Sequence, residues 1–323
     1  MRDLIVHEEV REALARGRGV VALETSVIGQ GLPEPRNREC VRRMDGAIRA
    51  RGAVPAWIAV ADGAVRVGVD ADVLDRMATP GSARKVARRD VPAAVAARAL
   101  GATTVSATIH AAHLAGIAIG ATGGIGGVHR PTPDGARDVS ADLLELARTP
   151  VLLVCSGAKS IIDPVATADH LEELGVALVG YRVDLLPYFL AREAPVRLEH
   201  RVDDPAAAAA IAVAGRTTGA TGATLLCNPV PAGAALDASS VEEAVIAAEA
   251  EAAAAGIGGK ARTPFLLGRI AEHTGGQSLE ANLALLEDNA AVAADVAVAF
   301  AALEPGSPSG PAPSGARSSR SPS

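Results

Sequence analysis

Aromatic residues make up only 2% of this 323-residue chain: one Trp, two Tyr and three Phe. A core with so few large rings has to be built from small aliphatic side chains interdigitating between helices and strands. Cysteine is almost as scarce. Cys40, Cys155 and Cys227 are odd in number, widely spaced and in no CxxC pair, which argues against a disulfide framework and for reduced, core-filling thiols in a cytosolic setting. No uninterrupted apolar run reaches about 18 residues, and the opening MRDLIVHEEVREALA is too charged for a secretory signal, so a cytoplasmic location is expected. Positive charge is not in excess either. With 31 Lys and Arg against 37 Asp and Glu the net charge is -6, which disfavours duplex nucleic acid and anionic membranes as partners but leaves room for a local phosphate pocket. GxSxG, HExxH, Walker A and Cys/His metal spacings are all absent.

What is present is an alternation of apolar strands and helices of about ten residues, the signal of parallel βαβ units in an α/β domain. The length suits one large domain or two smaller ones. Residues 5–15 read as a helix, VVALETSV as a strand, PAWIAVADG with AVRVGV as a hairpin, and KVARRDVPAAVAARALG as a helix. TTVSAT and IAIGAT read as strands around the helix IHAAHLAG. A helix follows from Ser140, then the strand VLLVCS. Asp163 and Pro164 then sit at the cap and first position of the next helix, which leads to the strand ALVGY. The Ala-rich residues 204–258 are expected to flank the sheet as a helical lobe around the strand in TLLCNPVP. SLEANLALLEDNAAVAADVAVAFAAL reads as one long helix. The Pro/Ser/Gly-rich residues 304–323 cannot bury enough apolar surface to order and are expected as a dispensable tail to a domain spanning 1–303.

Ligands of such folds bind at the carboxyl ends of strands, and the unusual residues fall there. Lys159 follows VLLVCS in a turn of small residues. Partial desolvation disfavours its ammonium form and suits the amine to attack a carbonyl, although a surface or phosphate-binding lysine is the alternative reading. Glu24 stands among Val, Ala and Leu, where burial disfavours the anion and suits a proton-transfer group; a structural partner of an arginine would look similar. GATGGIGGVHR is not a dinucleotide fingerprint, because its glycines lead to a Pro-containing loop rather than directly into a helix. Its backbone amides, with positive charge from His129 and Arg130, suit an anion, while a plain Gly-rich turn is the other reading. DVSAD places Asp138, Ser140 and Asp142 at alternate positions, fit for a hard divalent cation or for an N-cap. Lys85 could hold a phosphate or belong to a solvated face.

Together and in this order, ALETSVIGQGLPEP, ADGAVRVG, ARKVARRD, TTVSATIHAAHLAGI, ATGGIGGVHR, DVSADLLELA, CSGAKSIID, HRVD, CNPVP, TPFLLGRI and SLEANLALLEDNA resemble the pseudouridine-5'-phosphate glycosidase family, also called indigoidine synthase A-like. The resemblance runs from about Leu4 to Phe300. It implies reversible cleavage of the C–C glycosidic bond of pseudouridine 5'-phosphate to uracil and ribose 5-phosphate, a mostly parallel α/β/α fold, one divalent metal per subunit, usually Mn²⁺, and a homotrimer. By the same resemblance Lys159 is the covalent nucleophile, Glu24 the proton-transferring group and Asp138 the metal ligand. Ser140, Ala141, Asp142, Lys85, Asn282 and the backbone of Val105 fall at the substrate contacts. His129 and Arg130 are added as phosphate contacts from their charge and position.

GYRVDLLPYFLAREAP departs from the family's usual GYxTDEFPAFY. It is expected to shape the base pocket or a subunit contact. A Schiff-base aldolase or lyase acting on a sugar phosphate, and a non-catalytic binding protein or pigment-cluster accessory, are the competing readings.

Overall fold

The computed structural model describes residues 3–130 and 138–303, so the expected tail lies outside the described residues. From the amino end the elements run β1 (Leu4–Val6), α1 (Glu8–Ala15), β2 (Val20–Glu24), α2 (Arg36–Arg49), β3 (Val54–Ala61), β4 (Ala64–Val67), α3 (Ala71–Ala78) and β5 (Arg84–Val86). They continue with α4 (Val91–Ala96), β6 (Gly101–Thr103), α5 (Val105–Leu114), β7 (Ile119–Ala121), α6 (Ala141–Leu146), β8 (Leu152–Cys155) and α7 (Pro164–Glu173). The last are β9 (Ala177–Tyr181), β10 (His200–Val202), α8 (Pro205–Thr218), β11 (Thr224–Cys227), α9 (Ala238–Ala254), α10 (Arg262–His273) and α11 (Gln277–Leu303).

Nine strands form one path in the order β1-β4-β3-β2-β7-β8-β11-β9-β10, with β6 pairing on β3 and β5 on β6. Pairing is parallel except where β3 meets β4 and β6. All five residues of β2 are buried, as a strand covered on both faces requires. Its side chains alternate between two cores. Val20 and Ala22 pack with Val10 and Ala13 of α1 and Ala111 and Ala112 of α5, while Val21 and Leu23 pack with Met44 and Ile48 of α2 and with α11. The alanines of α11 let it lie close to α2 and α8 at once. The three cysteines are free and buried, as core filling demands. Among the described residues, no helix is long and apolar enough to cross a membrane.

Several expectations are corrected. Residues 5–15 do not form one helix: Leu4–Val6 add to the sheet beside β4, and α1 starts after His7, whose Nδ1 accepts from the Glu9 amide at 3.3 Å. The 17-residue helix expected from Lys85 is a strand and a short helix, because Arg84–Val86 pair with Gly101–Thr103 and Pro92 opens α4 late. TTVSAT is divided, with Val105 already helical. A remote carboxylate overrides its β-branched propensity: Asp142 Oδ1 accepts from the Ser106 amide in the first turn of α5 at 2.9 Å. The segment 204–258 is only partly a flanking lobe, since β11 sits inside the sheet between β8 and β9. The hairpin of β3 and β4, the capping of α7 by Asp163 and the unbroken α11 are as expected.

Candidate active site

A cavity of about 240 Å³ opens where β2, β7 and β8 end. Glu24 is the last residue of β2 and is only 6% exposed. Both its carboxylate oxygens accept hydrogen bonds, Oε2 from the Ser26 hydroxyl at 2.6 Å and Oε1 from the Thr122 hydroxyl just beyond β7. A carboxylate clasped by two hydroxyl donors keeps a fixed direction and retains partners through which a proton can be passed.

Lys159 reaches the same cavity from the turn after β8. Gly157 makes that turn possible, with a φ of 78° that a side chain would oppose. The Lys159 amide donates to the Ile125 carbonyl at 3.1 Å, and its half-buried Nζ donates to the Gly124 carbonyl at 2.6 Å. The amine is therefore inside the site rather than in bulk solvent.

Lys85, His129, Asp138 and Asn282 also line the cavity, as do Ser140, Ala141 and Asp142. Ser140 caps α6, and its hydroxyl accepts from the Asp142 amide at 3.2 Å. The Asp142 carboxylate is already engaged by two amides, from Ser106 at 2.9 Å and from Gly126 at 3.0 Å, so it welds α5 and the glycine loop to α6. Burial pushes the His129 imidazole below its ordinary value of 6.5, against the pull of Asp138, which works against the positive charge expected of it. Its Nδ1 is buried with no hydrogen-bond partner among the described residues.

Two expected contacts stand apart. Val105 is 2% exposed and lies behind the wall, where its neighbour Thr104 is the lining residue. Arg130 does not line the cavity: both its terminal nitrogens engage Glu242, Nη2 at 2.6 Å from Oε2, and Nη2 also donates to the Tyr188 hydroxyl at 3.1 Å.

Among the described residues there is no group of three or more His, Cys, Asp or Glu that could enclose a metal. The donor set does suit a hard divalent cation that keeps most of its waters, because Asp138 offers an exposed carboxylate on the cavity wall with the Ser140 hydroxyl two residues on. A closed thiolate or imidazole cage is not what these residues build.

Sequence reasoning missed Arg89 and Gln30 on the cavity wall, and it missed Asn289. Asn289 is fully buried on α11 and donates to the Thr122 carbonyl at 2.9 Å and the Ser156 hydroxyl at 3.0 Å, while its Oδ1 accepts from Asn228 at 3.0 Å. The available signal was an amide three and four residues on from Leu286 and Leu285, on the buried stripe of a long helix.

The family model for indigoidine synthase A like protein matches residues 9–299. The chain is 50% identical over 300 residues to a pseudouridine-5'-phosphate glycosidase of Herpetosiphon aurantiacus, covering 93% of this chain and 99% of that one. It is 51% identical over 305 residues to the enzyme of the same name from Rhodospirillum centenum, covering 94% and 95%. Among solved structures, the prealnumycin C-glycosynthase in complex with ribulose 5-phosphate superimposes with a TM-score of 0.85 at 40% identity, covering 94% of this chain and 98% of that one. An indigoidine synthase A-like protein from Thermotoga maritima gives 0.84 at 35% identity, covering 92% and 96%.

Proposed function

The chain belongs to the indigoidine synthase A-like family, and on that premise we propose that it is a pseudouridine-5'-phosphate glycosidase, reversibly cleaving the C–C glycosidic bond to give uracil and ribose 5-phosphate. The observation that carries the reading is the meeting of Lys159 and Glu24 in one cavity, delivered by different strands and each held by its own hydrogen bonds. The names of the relatives point the same way, toward C-glycosidic bonds and pentose phosphates.

Uracil joined through carbon is a poor leaving group until its ring carbon gains a proton, so expulsion through an oxocarbenium-like state is blocked and another electron sink is needed. In the proposed sequence the neutral Lys159 amine bonds to C1' as the C1'–O4' bond breaks, and the Glu24 carboxylate takes the proton that the nitrogen sheds and passes it to O4', so the nitrogen keeps a lone pair. The ribose opens with its first carbon bound to both Lys159 and uracil. Protonation of the uracil carbon then lets the lysine nitrogen lone pair form the C=N bond while the C–C electron pair leaves with the base. Water hydrolyses the imine, releasing ribose 5-phosphate and the free amine. Lys85 provides a point charge for the phosphate, and Ser140, Ala141, Asp142 and Asn282 orient the substrate. A divalent cation, expected as Mn²⁺, would be held by Asp138 and screen phosphate charge. Assembly as a homotrimer in the cytoplasm belongs to the same proposal.

Incubation with pseudouridine 5'-phosphate and Mn²⁺ should release uracil, and Lys159→Ala should release none. Borohydride with ribose 5-phosphate should add the reduced pentose phosphate to Lys159. Cleavage of a sugar phosphate within its carbon chain, without turnover of the C-nucleotide, would overturn the reading in favour of an aldolase.

A further inference from the structure

Tyr188, in GYRVDLLPYFLAREAP, is buried, at 6% exposure, behind the nucleophile's turn. Its hydroxyl is 3.1 Å from the carbonyl oxygen of Ser160, the residue after Lys159, and 3.2 Å from Glu242 Oε2. Arg130 grips Glu242 with both terminal nitrogens and also donates to the phenol oxygen at 3.1 Å. A phenol has one proton to give. Two acceptors face that proton, and the shorter contact together with the guanidinium on both Glu242 oxygens favours the Ser160 carbonyl over Glu242.

The contact does not stand alone. The Ser160 hydroxyl reaches the Tyr188 carbonyl at 3.5 Å, the Phe189 amide donates to Ser156 at 2.9 Å, and Gly157 forms an isolated bridge with Tyr188. Phe189, held at a φ of 54°, packs its ring against Gly124, whose carbonyl accepts from the Lys159 amine. A non-glycine residue in that region persists where its surroundings impose it. Adjacent residues thus act on both ends of the lysine, Tyr188 on the carbonyl of the residue that follows it in the turn and Phe189 on the glycine that receives its amine.

We infer that Tyr188 is a positioning residue for Lys159: its hydroxyl, oriented by the Arg130–Glu242 ion pair, fixes the Ser160 peptide and through it the angle at which the amine enters the cavity. The inference rests on Lys159 being the nucleophile of the proposed reaction. Burial, together with the Glu242 charge and against the pull of Arg130, pushes the phenol up to about 12, so it stays protonated across the working range.

Tyr188→Phe removes one oxygen and keeps the ring. With pseudouridine 5'-phosphate and Mn²⁺, kcat should fall about tenfold, the size of one lost hydrogen bond, with KM changed by less than about twofold. Borohydride trapping of ribose 5-phosphate on Lys159 should slow in the same proportion. Glu242→Gln weakens the anchor and should lower kcat by roughly threefold alone, yet add nothing in the Tyr188→Phe background, because both act through one route. Unchanged kcat and trapping in Tyr188→Phe, including a variant that only melts earlier, would overturn the inference while leaving the glycosidase reading intact. Failure of the unaltered protein to cleave or trap would bring down that reading, and this inference with it.

Discussion

Asn289 Nδ2 donates at 2.9 Å to the carbonyl of Thr122, the residue whose own hydroxyl donates to Glu24. The same nitrogen donates to Ser156, on the strand end that leads to Lys159. One buried amide therefore ties the turn supporting the acid to the turn supporting the amine. Asn289→Ala leaves buried carbonyl and hydroxyl groups without partners, at a cost of about 3 kcal/mol and roughly 5–10 °C in melting temperature. At 25 °C, where the variant is still folded, kcat should drop on the order of tenfold as the two groups lose their mutual alignment. Circular dichroism melts beside steady-state assays separate the effects, and a destabilised variant with full kcat would refute the alignment role.

How much of this was legible in the sequence depends on distance along the chain. Glu24 and Lys159 could be found because each breaks a local rule, a carboxylate in an apolar strand and an amine in a small-residue turn, at the strand ends where ligands bind. The alternating βαβ pattern fixed most of the sheet for the same local reason. Asn289 and Tyr188 were not readable, because their work is done on carbonyls brought near only by folding. The start of α5 was misread because the Asp142 carboxylate that caps it comes from α6. Arg130 was read as an anion contact from its charge, and nothing local announces Glu242 of α9 as its partner.

Gly126 sits where a Cβ would come within 2.7 Å of Ser140 Cβ and 3.0 Å of Asp142 Oδ2. Gly126→Ala should push Ser140 and Asp142 away from the substrate without touching Lys159 or Glu24. KM for pseudouridine 5'-phosphate should rise about tenfold or more, with a stability loss of about 1–3 kcal/mol from overpacking. A change confined to kcat would contradict a binding role for that wall.

Among the described residues no ligand cage encloses the Asp138 carboxylate, so the cation proposed for it should be labile. Mn²⁺ in about hundredfold excess over its dissociation constant should stabilise the protein by roughly 2.7 kcal/mol, seen as a higher melting temperature. Chelation should reverse the shift, and Asp138→Ala should show none. Full activity after exhaustive chelation would contradict a metal at this position.

Glu145 anchors the far end of the same wall. Its carboxylate, on α6, accepts from the Arg88 guanidinium at 2.5 Å and the Thr149 hydroxyl at 2.6 Å, and His110 lies at 3.4 Å. Burial pushes this carboxyl up, but hydrogen bonds from His110, Thr149 and Arg88 outweigh burial and hold it below the ordinary glutamate value of 4.5. A group depressed on folding stabilises the native state above its unfolded value and loses that contribution as pH falls through its folded value. The unaltered protein should therefore lose stability faster than Glu145→Gln as pH drops from about 5 to about 3. At pH 7 the variant should be less stable by about 1–2 kcal/mol, a modest figure because Arg88 is itself partly exposed. Thermal melts of both proteins across that range test the argument, and a stability gap that stays constant with pH would show that Glu145 does not couple protonation to the integrity of this wall.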